Sequence, residues 1–564
     1  PGSYTVRIRE DRLPAPLLAA HFGDGSTLAV LDARPDGRTT NEDGMSIAPG
    51  VLVDERFRFG AIGGEERDTG LSLGYWFPGT EGEETYLGNT YPGGQLHQWR
   101  RRYHPIRDGH EQSYDVAFRI ARDGSFPACM AATWRWAWKA LDPQVNPHDI
   151  DVARRSLVDL LAANVEEAGE CVGPPNAISC VPAEHHKADK TVMGFTGKAL
   201  ESAEFLLAEG RLDGTQRGAR LRGVAEKIIA TFLRLKIAPP EGEGFYFDSG
   251  EIATARGHRK LPEVYLRSFG DDVKALLRAY AREKRAGHDH PEWLTWTRQF
   301  GDWLLTQQQP TGGFPRSWLP PDGVVYSDSP NSSFNAIPLL VQLYGFTKEA
   351  KYLDAARRAG DFCWTNGQSQ GRFVGGTIDN PDVLDKEAGT LSLEAYLALY
   401  EATRERKWLD RATAAADYAE TWIYVWNVPM PDDADNVALH WKRGVPTVGL
   451  QLIASGHSLV DAYMAFDVDE YARLYKYSGD PHYLDVARIL LHNTKAMLAL
   501  PGRAYDLPAP GWQQEHWSLA PRRGVGLHRL WLPWVATSHL NGIFGLTEFD
   551  RSLYQKLSEP AGVD

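Results

Sequence analysis

The stretch Tyr352-Leu353-Asp354-Ala355-Ala356-Arg357-Arg358-Ala359-Gly360-Asp361-Phe362 decides the fold, because the chain repeats its pattern. Aromatic-leucine pairs open four such segments: Trp293-Leu294, Tyr352-Leu353, Trp408-Leu409 and Tyr483-Leu484. Asp354, Asp410 and Asp485 follow in three of them. A small residue comes next (Thr297, Ala356, Ala412, Ala487), then Asp302, Asp361 or Asp417 directly before Trp303, Phe362 or Tyr418. The fourth copy departs here, with His492-Asn493. Small and apolar residues at three- and four-residue steps make one face of an amphipathic helix. A helix motif returning at intervals of roughly 55–75 residues makes the unit a helical hairpin, and a chain of hairpins a solenoid or closed toroid.

Outward from these copies, the grammar is helical back to Phe126. About twelve helices are expected, among them 126–141, 190–208, 384–404, 457–478 and 481–499, with a further short one near 530–547. Twelve helices as six hairpins is the count of an (α/α)6 toroid. The amino-terminal part reads differently. Tyr4, Val6 and Ile8, and again Tyr114, Val116, Phe118 and Ile120, alternate with polar neighbours, the period of half-buried strands. The expected organisation is a β-rich, antiparallel, sandwich-like domain over residues 1–123, then the toroid over 124–564.

Connections are expected to be short on one face and long on the other, at about 310–328, 367–383, 427–455 and 500–529. Loops of that length inside a compact domain usually carry function.

Bulk properties narrow the class. Of 564 residues, 24% are charged and 43% hydrophobic, with a formal net charge of −13, which argues against nucleic acid and anionic membrane surfaces as partners. No apolar run is long enough to span a bilayer. The cysteines Cys129, Cys171, Cys180 and Cys363 lack the close pairing of a zinc site, and neither metal nor cofactor is expected. Cys171 and Cys180 flank a Pro-rich loop; a disulfide and two buried thiols are equally open readings. A secreted or periplasmic location is favoured over a cytoplasmic one. Oligomeric state is not legible.

A β-rich domain followed by an (α/α)6 toroid, with the phrase from Phe126 to Trp138 and its Trp134, Trp136 and Trp138 opening the helical part, resembles the six-hairpin glycosidase superfamily. That group contains glycoside hydrolases, polysaccharide lyases of related shape and sugar epimerases. The resemblance implies carbohydrate chemistry in a central cleft, with an oligosaccharide or polysaccharide, uronate-bearing ones included, as substrate.

The long connections hold the candidate residues. Hydrolysis of a glycosidic bond needs a carboxylic acid to protonate the leaving oxygen and a carboxylate as base or nucleophile. Asp379 and Asp382 sit in a loop and suit one role. Asp385 and Glu387 follow where an N-cap and first-turn acid belong. Glu515, between Trp512 and Trp517, suits the other, since desolvation raises a carboxyl pKa. Elimination on a uronate needs instead a base such as His457 or Tyr463, with Arg316, Asn331 and Asn335 to neutralise the carboxylate. His457 with Asp461 four residues on puts both on one face of the expected helix. Trp318, Trp441 and Trp517, with His440, offer flat rings and a polar tip for sugar stacking; packing of the loops is the competing role for each ring. Asp432-Asp433-Ala434-Asp435, beside Pro429 and Pro431, reads as a solvated turn rather than a metal cluster. A glycan-binding protein without catalysis is the reading from a third class.

Overall fold

A computed structural model describes residues 4–559 apart from 40–44, 50, 57, 69, 80–82, 86–97, 182–185, 256–261, 432–437, 457–458, 520–522, 525 and 527–528. Two compact units emerge: Pro1–Pro147 with Glu420–Ala462 and His516–His528, and His148–Ala419 with Tyr463–Glu515 and Arg529–Asp564.

The first unit is largely β. Strand Ser26–Asp32 pairs antiparallel with Leu17–His21 on one side and Val116–Arg122 on the other. A second sheet joins Tyr4–Arg9, Ala61–Arg67 and Gly70–Trp76, also antiparallel. Among the described residues the expected antiparallel architecture has one exception, a parallel pair between Val51–Val53 and Gln98–Tyr103. The alternation in Val116–Arg122 is real but its apolar face is outward, with Phe118 and Ile120 exposed. Helix α1 (Phe126–Leu141) starts at Ser125, whose side chain accepts from the Ala128 amide, and ends at Asp142 in the left-handed region. Inside the unit, Arg9 grips Asp11 through two bonds of 2.6 and 2.8 Å, Arg523 also pairs with Asp11, and both guanidiniums lie over Phe59.

The second unit is the helical ring. In chain order its helices are α2 (Ile150–Ala163), α3 (Ala199–Leu212), α4 (Gln216–Phe232), α5 (Leu266–Arg285), α6 (Pro291–Thr306), α7 (Ala336–Thr347), α8 (Ala350–Thr365), α9 (Lys386–Thr403), α10 (Arg406–Glu420), α11 (Val468–Ser478), α12 (His482–Asn493), α13 (Pro533–Phe549) and α14 (Arg551–Ser558). Contacts run α3 to α5 to α7 to α9 to α11 to α13 and back to α3, which closes a ring of six inner helices. From Ala199 to Gly210 every residue of α3 is buried, as a helix surrounded by others requires. The partners α4, α6, α8, α10 and α12 bury one stripe only; in α6 it is Trp293, Trp296, Thr297, Phe300, Gly301 and Leu304.

The repeated motif belongs to these outer helices, and its conserved spacing within the chain has a direct cause. The aspartate of one copy meets the opening aromatic of the next: Tyr352 Oη donates to Asp302 at 2.6 Å, and Tyr483 Oη to Asp417 at 2.8 Å. Trp408 has no hydroxyl, and there Asp361 takes Arg411 at 2.7 Å instead. The small positions let inner and outer helices approach. A Cβ on Gly360 would lie 2.7 Å from Leu399 and 2.8 Å from the Trp408 ring.

Two expected helices are shorter than their apolar pattern. The stretch 190–208 begins with strand Lys190–Val192 before α3, and 457–478 yields strand Leu459–Asp461 before α11. The four cysteines are all buried and unpaired, so Cys171 and Cys180 form no disulfide.

Candidate functional site

Each inner helix is reached through a long connection and left through a short one. Residues 164–198, 233–265, 307–335, 366–385, 421–467 and 494–532 lead into the six inner helices, whereas 348–349 and 404–405 suffice to leave α7 and α9. Long irregular backbone needs partners for its amides, and buried carboxylates supply them. Asp272 accepts from the Gly194, Leu200 and Glu201 amides at 2.9, 3.3 and 3.1 Å. Asp385 caps α9 through the Ala388 amide at 2.7 Å and holds the Gly376 amide at 3.0 Å, as its place before the helix led one to expect. Gly376 must be glycine there, since a Cβ would lie 2.2 Å from the Ala388 nitrogen. Glu243 accepts from the Tyr265 amide at 2.7 Å. Burial pushes Asp272, Asp385 and Glu243 each up to about 7.

Between these anchors lies a charged centre. Arg267 pairs with Glu387, donates to the Gly376 carbonyl at 2.6 Å, and reaches Asp271 at 3.8 Å. Its guanidinium stacks on Phe195 at 4.6 Å and Trp534 at 5.5 Å. Lys198 donates to Asp271 at 2.7 Å, pairs with Glu201 at 3.0 Å, and lies 4.5 Å over Trp534. Burial raises the Asp271 carboxyl, but Lys198, Lys274 and Arg267 outweigh it and hold the group below its ordinary value. Hydrogen-bonding capacity is left open here: Arg267 Nε and Asn335 Oδ1 are buried without a hydrogen bond.

A small cleft beside this centre is lined by Tyr265, Arg267, Arg316, Ser332 and Gly375 to Ile378. Arg316 donates to Ser332 Oγ at 2.8 Å and to the Thr377 carbonyl at 2.5 Å, and burial lowers its pKa. The loop beyond Ile378 carries Asp379 and Asp382, both exposed. Asn331 donates to Asp382 Oδ1 at 2.9 Å and to the Pro381 carbonyl at 3.0 Å. Arg316, Asn331 and Asp382 thus share one neighbourhood, and Asn335, close by in the chain, precedes α7 without a side-chain cap bond and donates to the Ser332 carbonyl at 3.0 Å. Glu515 is buried in the connection before α13, its amide bonded to the Leu530 carbonyl at 2.9 Å.

A cavity of about 550 Å³ runs inside the ring. Its lining includes buried Lys198, Glu201, Asp271 and Trp534 at the helix starts, and exposed Gly345, Lys348, Ala402 and Glu548 near the helix ends. It therefore meets solvent on the short-turn side.

The remaining expectations separate. Trp318 is fully buried, its ring edge-on to Trp303 at 4.9 Å and its Nε1 bonded to Gln307 at 3.1 Å. Trp441 and Trp517 pack edge to face at 5.2 Å inside the first unit, where His440 is buried too. These rings fill the interior and present no exposed platform. His457 lies outside the described residues, as does the acidic run 432–435. Asp461 is in a strand, not on a helix face, and holds His516 Nδ1 at 2.6 Å across the strand pair.

Sequence reasoning missed Lys198, Arg267, Asp271 and Asp272. The chain's signal was ambiguous: Arg267, Asp271, Lys274, Arg278 and Arg282 recur at three- and four-residue steps on one stripe of α5, the pattern that a solvated helix face also gives.

Residues 270–434 match the model of glycosyl hydrolase family 76, a span from α5 past α10. No curated protein matches the chain. Solved structures of similar shape include a D-mannose isomerase, 10% identical, covering 71% of this chain and 97% of its own at TM-score 0.48. A family 76 mannosidase from Bacteroides thetaiotaomicron VPI-5482 is 13% identical, covering 71% and 99% at 0.43. Cellobiose 2-epimerase from Bacillus thermoamylovorans B4167 is 12% identical, covering 71% and 99% at 0.45. The six inner helices close into an (α/α)6 ring, and residues 270–434 over its middle match glycosyl hydrolase family 76, so the chain is similar in fold to the six-hairpin glycosidases.

Proposed function

We propose that this chain is a glycoside hydrolase that cleaves an oligosaccharide or polysaccharide by carboxylate acid/base catalysis at the starts of the inner helices. The family match supports the broader class, a carbohydrate-active enzyme. The observation that carries the finer reading is what the matched span contains. Within it, Arg267's neighbours Asp271 and Glu387, the cleft residue Arg316 and the exposed carboxylates Asp379 and Asp382 all attach to the starts of α5, α7 and α9. Guanidinium and amide donors suit sugar hydroxyls, and Arg267, Arg316, Asn331 and Asn335 supply them.

In this reading a solvated carboxylate, Asp379 or Asp382, takes the proton from the attacking water. The leaving oxygen is protonated by a buried carboxyl kept neutral by desolvation. Glu515 and the acids at the helix starts compete for that role. The test is release of reducing ends from a panel of neutral and uronate-bearing glycans by the wild type and by Asp379→Asn, Asp382→Asn and Glu515→Gln. Loss of about 10²-fold or more in one of the aspartate variants is expected. Full activity in all three would remove these carboxylates from the mechanism.

Elimination is the second reading, favoured by one observation: Asp461 orients His516 as a carboxylate orients a catalytic imidazole. It predicts unsaturated products and loss of activity in His516→Gln.

A further inference from the structure

The cavity of about 550 Å³ inside the ring has the size of sites that hold small molecules, and its wall has unmet needs of one sign. Glu394 on α9 and Asp469 and Glu470 on α11 line it beside two cations, Lys274 and Arg473. Lys274 donates to Glu394 at 2.6 and 2.8 Å. Arg473 donates to Asp469 at 3.2 Å and to Glu401 at 2.8 Å. Glu470 is left without an ion pair among the described residues. On α13 the residue against Asp469 is Gly545, which brings no charge. Among the described residues, the buried atoms of the lining that lack a hydrogen bond are all oxygens: Glu201 Oε2, Gln342 Oε1 and Glu470 Oε2. Lys198 serves the first of them as counterion at 3.0 Å.

A wall with spare acceptors and a surplus carboxyl suits a ligand that donates hydrogen bonds and carries positive charge. The acids do not converge as metal ligands would: among the described residues no group of three or more His, Cys, Asp or Glu could hold a metal ion. An organic ammonium matches the volume, and Gln342, Glu394 and Glu401 offer oxygens to hydroxyls around it. We infer that the cavity is a second binding site, for a positively charged amino sugar, with Glu470 as the counterion of its ammonium group. This site does not depend on the hydrolase reading. Without a cation, a proton balances the charge. Burial raises the Glu470 carboxyl well above its ordinary range, Asp469 and Glu394 add to this, and Arg473 opposes only in part. Glu470 shares its proton with Asp469 through a side-chain hydrogen bond. On binding, the ammonium takes the place of that proton, which leaves to water.

The experiment is titration calorimetry of the wild type and Glu470→Gln with glucosamine, N-acetylglucosamine and glucose. It is run near neutral pH, at constant ionic strength, in two buffers of different ionisation enthalpy. Expected is glucosamine bound at least about tenfold tighter than either neutral sugar, with protons released on binding. Glu470→Gln should weaken glucosamine by about tenfold or more and release no proton. Gln342→Leu, a second change in the wall, should weaken it by about three- to tenfold with proton release unchanged. Thermal melts show that each variant is folded. Glucosamine bound no tighter than the neutral sugars, binding untouched by Glu470→Gln, or no binding to the wild type would each overturn the assignment. Displacement of glucosamine by potassium ions at equal ionic strength would overturn it in favour of a metal cation. None of these outcomes bears on the release of reducing ends, so the hydrolase reading is tested separately.

Discussion

At the scale of single residues, the charged centre makes firm demands. Arg267 is 3% exposed and neutralises Glu387 while approaching Asp271. Arg267→Met strands those carboxylates in the interior and should cost about 3–5 kcal/mol, read from the denaturant midpoint at constant slope. Adding Glu387→Gln should restore part of the loss. Histidines set a pH dependence elsewhere. Burial pushes His148 down to about 3 and His492 to about 4. His492 Nδ1 accepts the His148 amide at 3.1 Å while Nε2 donates to the Leu557 carbonyl at 2.8 Å, so the ring is neutral. Below about pH 6.5 the unfolded chain protonates these rings and the folded one does not. Their contribution to stability is therefore full above 6.5 and falls as pH drops toward 4. Asp272, Asp385 and Glu243, raised to about 7, slope the other way, so the comparison must be with a variant. His148→Gln should be less acid-sensitive than wild type between pH 6.5 and 4 in thermal melts. Little of this was legible in the chain. Asp385 announced itself as a cap, because capping is local; Lys198 meeting Asp271, or Arg267 meeting Glu387, needs the ring to close first.

At the scale of elements, the repeated motif was legible because its residues obey a local period. What the spacing could not say is why an aspartate recurs, and the answer is the next hairpin: Asp302 to Tyr352, Asp361 to Arg411, Asp417 to Tyr483. The fourth copy lacks this aspartate, and His492 binds the α14 carbonyl of Leu557 in its place. Tyr352→Phe should cost about 0.5–1.5 kcal/mol, the worth of one such bond. The glycines offer a sharper contrast. Gly360→Ala drives a methyl into Leu399 and Trp408 and should destabilise by about 1–3 kcal/mol. Gly345→Ala, in a helix with open space around its Cβ, should stabilise by about 0.5–1 kcal/mol. Helix starts were the weakest expectation. Residues before α3 and α11 have helical composition but are spent on strands Lys190–Val192 and Leu459–Asp461, because pairing with Gly244–Tyr246 and His516–Ser518 outweighs local preference.

At the scale of the molecule, the toroid follows from the sequence pattern while the composition of the first unit does not. That unit gathers Glu420–Ala462 and His516–His528, which lie in the two longest connections leading into inner helices. Aromatic richness in those segments looks like a sugar platform from the chain alone, yet Trp441 and Trp517 pack on each other. Of the acids that remain for chemistry, Asp271, Asp379, Asp382 and Glu387 lie inside the span that matches glycosyl hydrolase family 76, and Glu515 lies outside it. The most direct measurement follows the wild-type protein on neutral and uronate-bearing glycans, counting new reducing ends while recording absorbance near 235 nm. Hydrolysis predicts new ends with no rise in absorbance. A rise that keeps pace with the new ends would contradict it and move the chemistry to an imidazole base such as His516.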